Sequence, residues 1–231
     1  YIGWRGAFFI VVPLAIIAFI WQWRSIPSLP AGPQRTGSAN PFRLLANPQV
    51  ARGMAGVMFF FMGQFAIFTY LRPFLEEVTR LSVNQLSLAL LVPGLFGLLG
   101  TWLSGYLLQR RLFCWLIIIP LVMAAVAGLL IKAGASYMAV MALLALWGLV
   151  ATPAPVAWGL WLSKALPHDA ESGGGLLVAV IQSAITLGAG LGGVLFDLLG
   201  WWSPFAFGSL LLLVSAALAW RTGASVAPSA T

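Results

Sequence analysis

Ahead of its closing carboxylates, Glu76 and Glu77, the stretch 62–78, "MGQFAIFTYLRPFLEEV", carries four side chains able to hydrogen-bond, Gln64, Thr69, Tyr70 and Arg72. The stretch opens inside an apolar run long enough to cross a bilayer, where an amide is costly unless it finds a partner. On a helix of 3.6 residues per turn, Phe61, Gln64, Phe65, Phe68 and Arg72 follow i, i+3, i+4, i+7 and i+11 and share one face. That face offers aromatic surface and an amide, leading toward a fixed cation at one end. Such chemistry suits a planar, polar ligand such as a nucleobase. Gln64 has two open uses, lining a pore or joining helices by a hydrogen bond. The Thr69 hydroxyl is expected to bond back to its own helix, and Arg72, next to Pro73 near the span end, to snorkel to the interface. Gly63, Ala66 and Tyr70 form a narrower adjoining stripe suited to close helix contact.

Two later segments repeat the theme. Trp147, Ala151, Ala154, Trp158 and Trp161 fall on one helical face, interrupted by Pro153 and Pro155, which free backbone carbonyls and invite a kink. A bent helix with Trp on one face fits a gating element, with Trp147 and Trp158 toward the ligand. Trp161 beside Lys164 is expected in the aromatic belt instead. Further on, Gln182, Thr186, Ala189 and Gly193 share a face, and Gln182 is again either a ligand contact or inter-helix glue. Gly188 and Gly192 make a small-xxx-small pair for close backbone approach. "SGGG" at 172–175 opens this helix with no Lys at the phosphate-loop spacing.

Other chemistry is not expected. His168, Asp169 and Glu171 cluster after the fifth span, but His168 is the chain's one histidine. They suit solvated helix-end charges better than a metal or acid–base site. Cys114 is the one cysteine, so no intramolecular disulfide or multi-cysteine metal site can form. No Gly-x-Ser-x-Gly nucleophile or membrane-embedded His is present, so neither an enzyme nor a cofactor is expected. The middles of the spans hold no Asp, Glu or His. If protons drive the chemistry, the coupling carboxylate should lie outside these helices.

The elements that position these residues follow from composition. With 61% hydrophobic and 7% charged residues, the chain has too few charges to cover a soluble domain. Seven spans are read, at about 6–23, 53–74, 84–107, 113–131, 138–161, 174–195 and 203–220. Trp21 and Trp23 beside Arg24 read as a belt and its flanking cation. A Pro-, Gly-, Ser- and Arg-rich linker covers 24–52, within which "PFRLLA" can lie on the membrane surface. The other loops are short. The net charge of +7 is placed by topology: Arg24, Arg35, Arg43, Arg52, Arg110, Arg111, Lys164 and Arg221 thread to one side. Arg5, Arg72, Arg80 and Lys132 thread to the other, offset by Glu76, Glu77 and Asp197. This bias makes the linker and C-terminus cytoplasmic and Tyr1 external, and argues against nucleic acid as a partner. The expected fold is an all-α polytopic transmembrane bundle: a leading helix, 1–23, then a six-helix unit, 53–221, and a tail, 222–231.

The six-helix unit contains a weak repeat. Residues 99–109 read "LGTWLSGYLLQ" and residues 187–197 read "LGAGLGGVLFD", about three spans apart and so in opposite orientations. With the local strings "GWRGAFF" (3–9), "GQFAIFTYLRPFLEEVTRLS" (63–82) and "LLVAVIQSAITLGAGLGGVLFDLLG" (176–200), the whole chain resembles the C-terminal half of a major facilitator superfamily transporter. It resembles the drug:proton antiporter, arabinose-efflux-like branch, and within it the bacterial purine ribonucleoside efflux pumps. The resemblance implies a carrier of the bacterial cytoplasmic membrane exporting purine ribonucleosides in exchange for protons by alternating access. It further implies five helices before Tyr1, in a first half that would be this chain's partner around a nucleoside-like solute. Of the superfamily's Gly-x-Leu-x-Asp-Arg loop motif, Gly105, Leu107, Arg110 and Arg111 fit, but Gln109 replaces the Asp. Other sugar- or drug-like solutes, or a non-transporting membrane scaffold, are the alternatives.

Overall fold

The computed structural model describes residues 4–25 and 41–224, which are helical apart from short turns, with no strand among them. Arg35, most of the linker and most of the C-terminal tail lie outside the described residues. Helix α1 (Trp4–Ser25) belongs to a unit of its own, with Trp21 and Trp23 exposed beside Arg24.

The second unit begins with a 3₁₀ turn, Pro41–Ala46, that buries none of its residues, as suits a surface segment. Helix α2 (Pro48–Thr69) follows. The Asn47 carboxamide oxygen accepts from the Gln49 backbone N–H at 2.9 Å, and Pro48 fills a first-turn position that needs no donor. Tyr70 (φ −100°, ψ 8°) ends α2, and α3 (Leu71–Glu77) carries the span onward. Helix α4 (Val83–Ala133) opens with a capping box between Ser82 and Gln85. Its 51 residues, if straight, would run about 76 Å, more than twice the ~30 Å of a hydrocarbon core. Arg111 (φ −144°, ψ 53°) breaks it into two spans, 83–110 and 112–133. The short loop anticipated between the third and fourth spans is thus a single non-helical residue.

Helices α5 (Tyr137–Ala151) and α6 (Ala154–Ala165) form one span interrupted at Thr152 and Pro153. Pro153 has no N–H for the preceding turn, and the Thr152 hydroxyl donates to the Gly148 carbonyl at 2.9 Å beside the gap. Helix α7 (Ala170–Leu199) ends at Gly200, whose φ of 92° suits glycine, and α8 (Ser203–Ala224) closes the unit. Among the described residues, five helical stretches are long and apolar enough to cross a membrane, all in this unit; α4 supplies two spans, which makes six.

Close approaches at small residues set the packing. Gly63 lies against the Gly208 carbonyl, and Ser215 donates to the Gly56 carbonyl at 2.8 Å, so α8 runs antiparallel to α2. Gly188 presses on the Met62 carbonyl and Gly192 on Ala66 and Tyr70, so α7 runs parallel to α2 on another side. Helix α2 is therefore the central post of the unit. Gly100 presses on the Leu149 carbonyl and Gly148 on Pro93, pairing the first half of α4 with α5, while Ser209 donates to the Ala124 carbonyl at 3.0 Å and pins α8 to its second half. A serine taken out of water needs such an acceptor, and buried Ser215 and half-buried Ser209 each find a backbone carbonyl on a neighbouring helix.

The repeat is visible in these contacts. The offset of 88 residues between the two strings carries 83–110 onto 171–198 and 112–133 onto 200–221, nearly the limits of α7 and α8. Gly100 and Gly188 are equivalent positions, and each rests on a backbone carbonyl of a parallel neighbour, Leu149 in α5 and Met62 in α2.

Candidate functional site

The first candidate face lies on the central post. Phe65 is half-buried and Phe68 exposed, their rings edge-to-face at 6.4 Å. Gln64 is half-buried, and its carboxamide oxygen is buried with no hydrogen-bond partner. An acceptor left bare in this way costs roughly 1–3 kcal/mol unless another molecule supplies a donor. Phe61 is turned inward, only 4% exposed, edge-to-face with Phe60 at 5.3 Å. Arg72 stands beyond the break at Tyr70, on the surface, and its Nε donates to Glu76 at 2.9 Å. That i, i+4 pair is an exposed ion pair within α3.

The tryptophans serve packing. Trp147 and Trp158 are 4% and 2% exposed; the Trp158 ring lies edge-to-face with Trp161 and tilted against Phe60, and fills the space over Gly56. Trp161, expected in the interfacial belt, is instead 1% exposed and covers Gly53 of α2, so that reading is corrected. A side chain at Gly53 would collide with the indole, and the missing side chain is what admits the ring. The common face of Trp147, Ala151, Ala154, Trp158 and Trp161 is real; it is the buried face of α5 and α6.

Helix α7 presents the other candidate face. Helix α7 is covered far less than the central post: about half of its positions are exposed, whereas α2 exposes only a few. Gln182 and Thr186 are both exposed, and the Thr186 hydroxyl donates to the Gln182 backbone carbonyl at 2.9 Å. Ser183, not singled out from the sequence, is exposed beside them. On the helical wheel these polar residues fill one exposed sector, and Leu187, Leu191, Val194 and Leu198 fill the next. The second sector is apolar enough for lipid; the first asks for water, ligand or protein.

Two features tie the faces together. The Tyr70 hydroxyl donates to the Ala189 carbonyl at 2.9 Å, its ring stacks on Phe196 at 5.3 Å, and Gly192 and Gly193 leave room for it. The stripes anticipated at Gly63, Ala66, Tyr70 and at Gly188, Gly192 thus both form helix contacts. Met62 lies level with Gly188, which places Gln64 about 8 residues, or roughly 12 Å, along the axis from Gln182. The two amides cannot grip one atom; they mark two heights of a surface. Among the described residues no group of His, Cys, Asp and Glu could hold a metal ion. The loop-motif residues Arg110 and Arg111 are exposed at the α4 break, and Arg110 lies 4.6 Å over the Tyr106 ring; Gly105 is exposed with open space about it.

Comparison with known proteins adds a lineage to this geometry. The Major Facilitator Superfamily profile matches residues 1–189. "Transcription regulatory protein OpdE" of Pseudomonas aeruginosa is 48% identical over 99% of this chain and 58% of its own length. "Purine ribonucleoside efflux pump NepI" of Shigella sonnei is 38% identical over 94% of this chain and 54% of its own, and that of Escherichia coli K12 37% identical over the same shares. The chain spans little more than half the length of these relatives. With apolar spans, small-residue crossings and an inverted repeat in place, the chain belongs to the major facilitator superfamily, a superfamily of membrane transporters.

Proposed function

We propose that this chain forms part of a secondary efflux carrier that exports purine ribonucleosides in exchange for protons by alternating access. The observation that carries the substrate class is the half-buried Gln64 amide beside the rings of Phe65 and Phe68. A purine offers ring nitrogens that accept from the amide N–H and a flat π-surface for the exposed Phe68 ring. Gln182 and Thr186 line the same solute path at a second height, where a ribose or water chain finds hydroxyl and amide partners. Phe61, Trp147 and Trp158 back this surface from inside the bundle, and Arg72 stands at its outer end. The names of the 37–38% identical relatives point the same way.

Six cations, Arg43, Arg52, Arg110, Arg111, Lys164 and Arg221, sit at the end of the bundle where α2 begins. We place that end and the C-terminus in the cytoplasm of a bacterial cell and the solute path across its inner membrane. The coupling carboxylate belongs to a first half that this chain would pair with, because its own span middles hold no Asp, Glu or His.

The test is accumulation of inosine or guanosine in inverted vesicles containing the full-length protein, compared with empty vesicles. Accumulation that Gln64→Leu removes supports the reading; movement of a drug-like solute with no nucleoside movement overturns the substrate class. A second reading, a regulatory membrane module without transport, is favoured by the name of the 48% identical relative. It requires that no solute moves at all.

A further inference from the structure

We propose that the wedge between the two halves of α4 and helix α5 is a binding site for one anionic phospholipid, headgroup at the Arg111 break and acyl chain along the wedge. Two independent features meet there. The first is an apolar groove of about 290 Å³, lined by Leu103 and Leu107 from the first half of α4, Trp115 and Ile118 from the second, and Leu146 and Val150 from α5. The second is an open pocket of about 330 Å³ at the break itself, lined by Gln109, Arg110, Arg111, Phe113, Cys114 and Lys164. The lining passes from one to the other through consecutive residues, Leu107 and Leu108 in the groove, then Gln109 in the pocket.

The dimensions and charges commit the occupant. The groove follows α4 from Gly100 to Leu108, about 12 Å along the axis, close to the ~15 Å depth of one leaflet. Its one hydroxyl, that of Ser104, is already donated to the Thr101 carbonyl at 2.6 Å, so the groove offers a hydrocarbon chain and nothing polar. At the mouth, three cations converge with no carboxylate at ion-pair distance; the one ion pair among the described residues is Arg72 with Glu76, at the other end of the bundle. Gln109 lines the mouth as a neutral amide, so nothing there repels a phosphate. The Tyr106 ring under the Arg110 guanidinium holds that cation in place at the pocket rim. A free inorganic anion would use the mouth alone, whereas a phospholipid uses mouth and groove together.

The experiment is native mass spectrometry of the full-length protein released from membranes of equal phosphatidylglycerol and phosphatidylcholine. Retained phosphatidylglycerol should exceed phosphatidylcholine by about tenfold or more, as expected for several Lys and Arg side chains on one phosphate. The triple variant R110Q/R111Q/K164Q should lose that preference while its phosphatidylcholine retention stays unchanged. Ile118→Trp, which fills the groove from an exposed position and leaves every cation, should also lower phosphatidylglycerol retention. Equal retention of both lipids overturns the proposal, as does a preference that survives the triple variant. Displacement by inorganic phosphate with Ile118→Trp behaving as wild type overturns it in favour of a free-anion pocket.

Discussion

The first half of α4 and helix α7 are equivalent members of the repeat, alike in how they pack and unlike in what they expose. Gly100 and Gly188 both sit on a carbonyl of a parallel neighbour. Outside that contact the two helices diverge: Gln182, Ser183 and Thr186 of α7 correspond to Gly94, Leu95 and Leu98 of α4, and all six positions are exposed. The same division appears where Tyr70 corresponds to Trp158, one hydrogen-bonded across to α7 and the other a buried ring over Gly56. Packing positions were held in both halves of the repeat because backbones must touch there. Chemistry was free to settle in one of them. Polarity on an exposed span is costly in lipid, so the side that carries it is the side facing something other than lipid.

Substitutions can break that comparison at each level. The largest effect is expected at Trp158→Ala, which empties a fully packed ring site and should destabilise by about 3–5 kcal/mol in a detergent thermal-unfolding series. Gly100→Val and Gly188→Val should each cost about 1–3 kcal/mol, and similar values for the two would support the equivalence of their crossings. A cost at only one of them would break it. Gln64→Leu should separate stability from function: removing a bare buried acceptor should leave the unfolding temperature unchanged or raised, while nucleoside movement is lost. Tyr70→Phe should cost only about 0.6–2 kcal/mol, the worth of one inter-helix hydrogen bond. A structural effect no larger belongs to the exchange of faces. Q182G/T186L should cost only about 1 kcal/mol, the worth of a glycine in a helix interior, and abolish transport, whereas G94Q/L98T should leave transport intact.

How much of this was legible depended on whether a feature is local. The apolar stretches from residue 48 on, the interruption at Pro153 and the stripes of small residues follow from periodicity and covalent geometry, and the structure forms helices over those stretches and close contacts at those stripes. The buried face of α5 and α6 was also legible as a face. Its environment was not: Trp161 next to Lys164 looks interfacial along the chain, and only Gly53, more than 100 residues earlier, shows the notch that receives it. The same limit applies to Gln64. Its place on an aromatic face is a matter of counting, but the lack of a partner for its oxygen depends on every helix packed around α2. The lone-residue break at Arg111 was missed because loop length is read from polarity, and two adjacent arginines suggest a loop whatever the backbone does.

That break has a consequence for how the protein is made. Two spans joined by one non-helical residue leave no stretch of chain long enough to thread through the membrane separately or to wait outside it for the second span. The pair must enter the bilayer together, as a closed hairpin whose apex carries two positive charges, Arg110 and Arg111. An epitope or protease site inserted after Arg110 would therefore disturb the biogenesis of both spans at once.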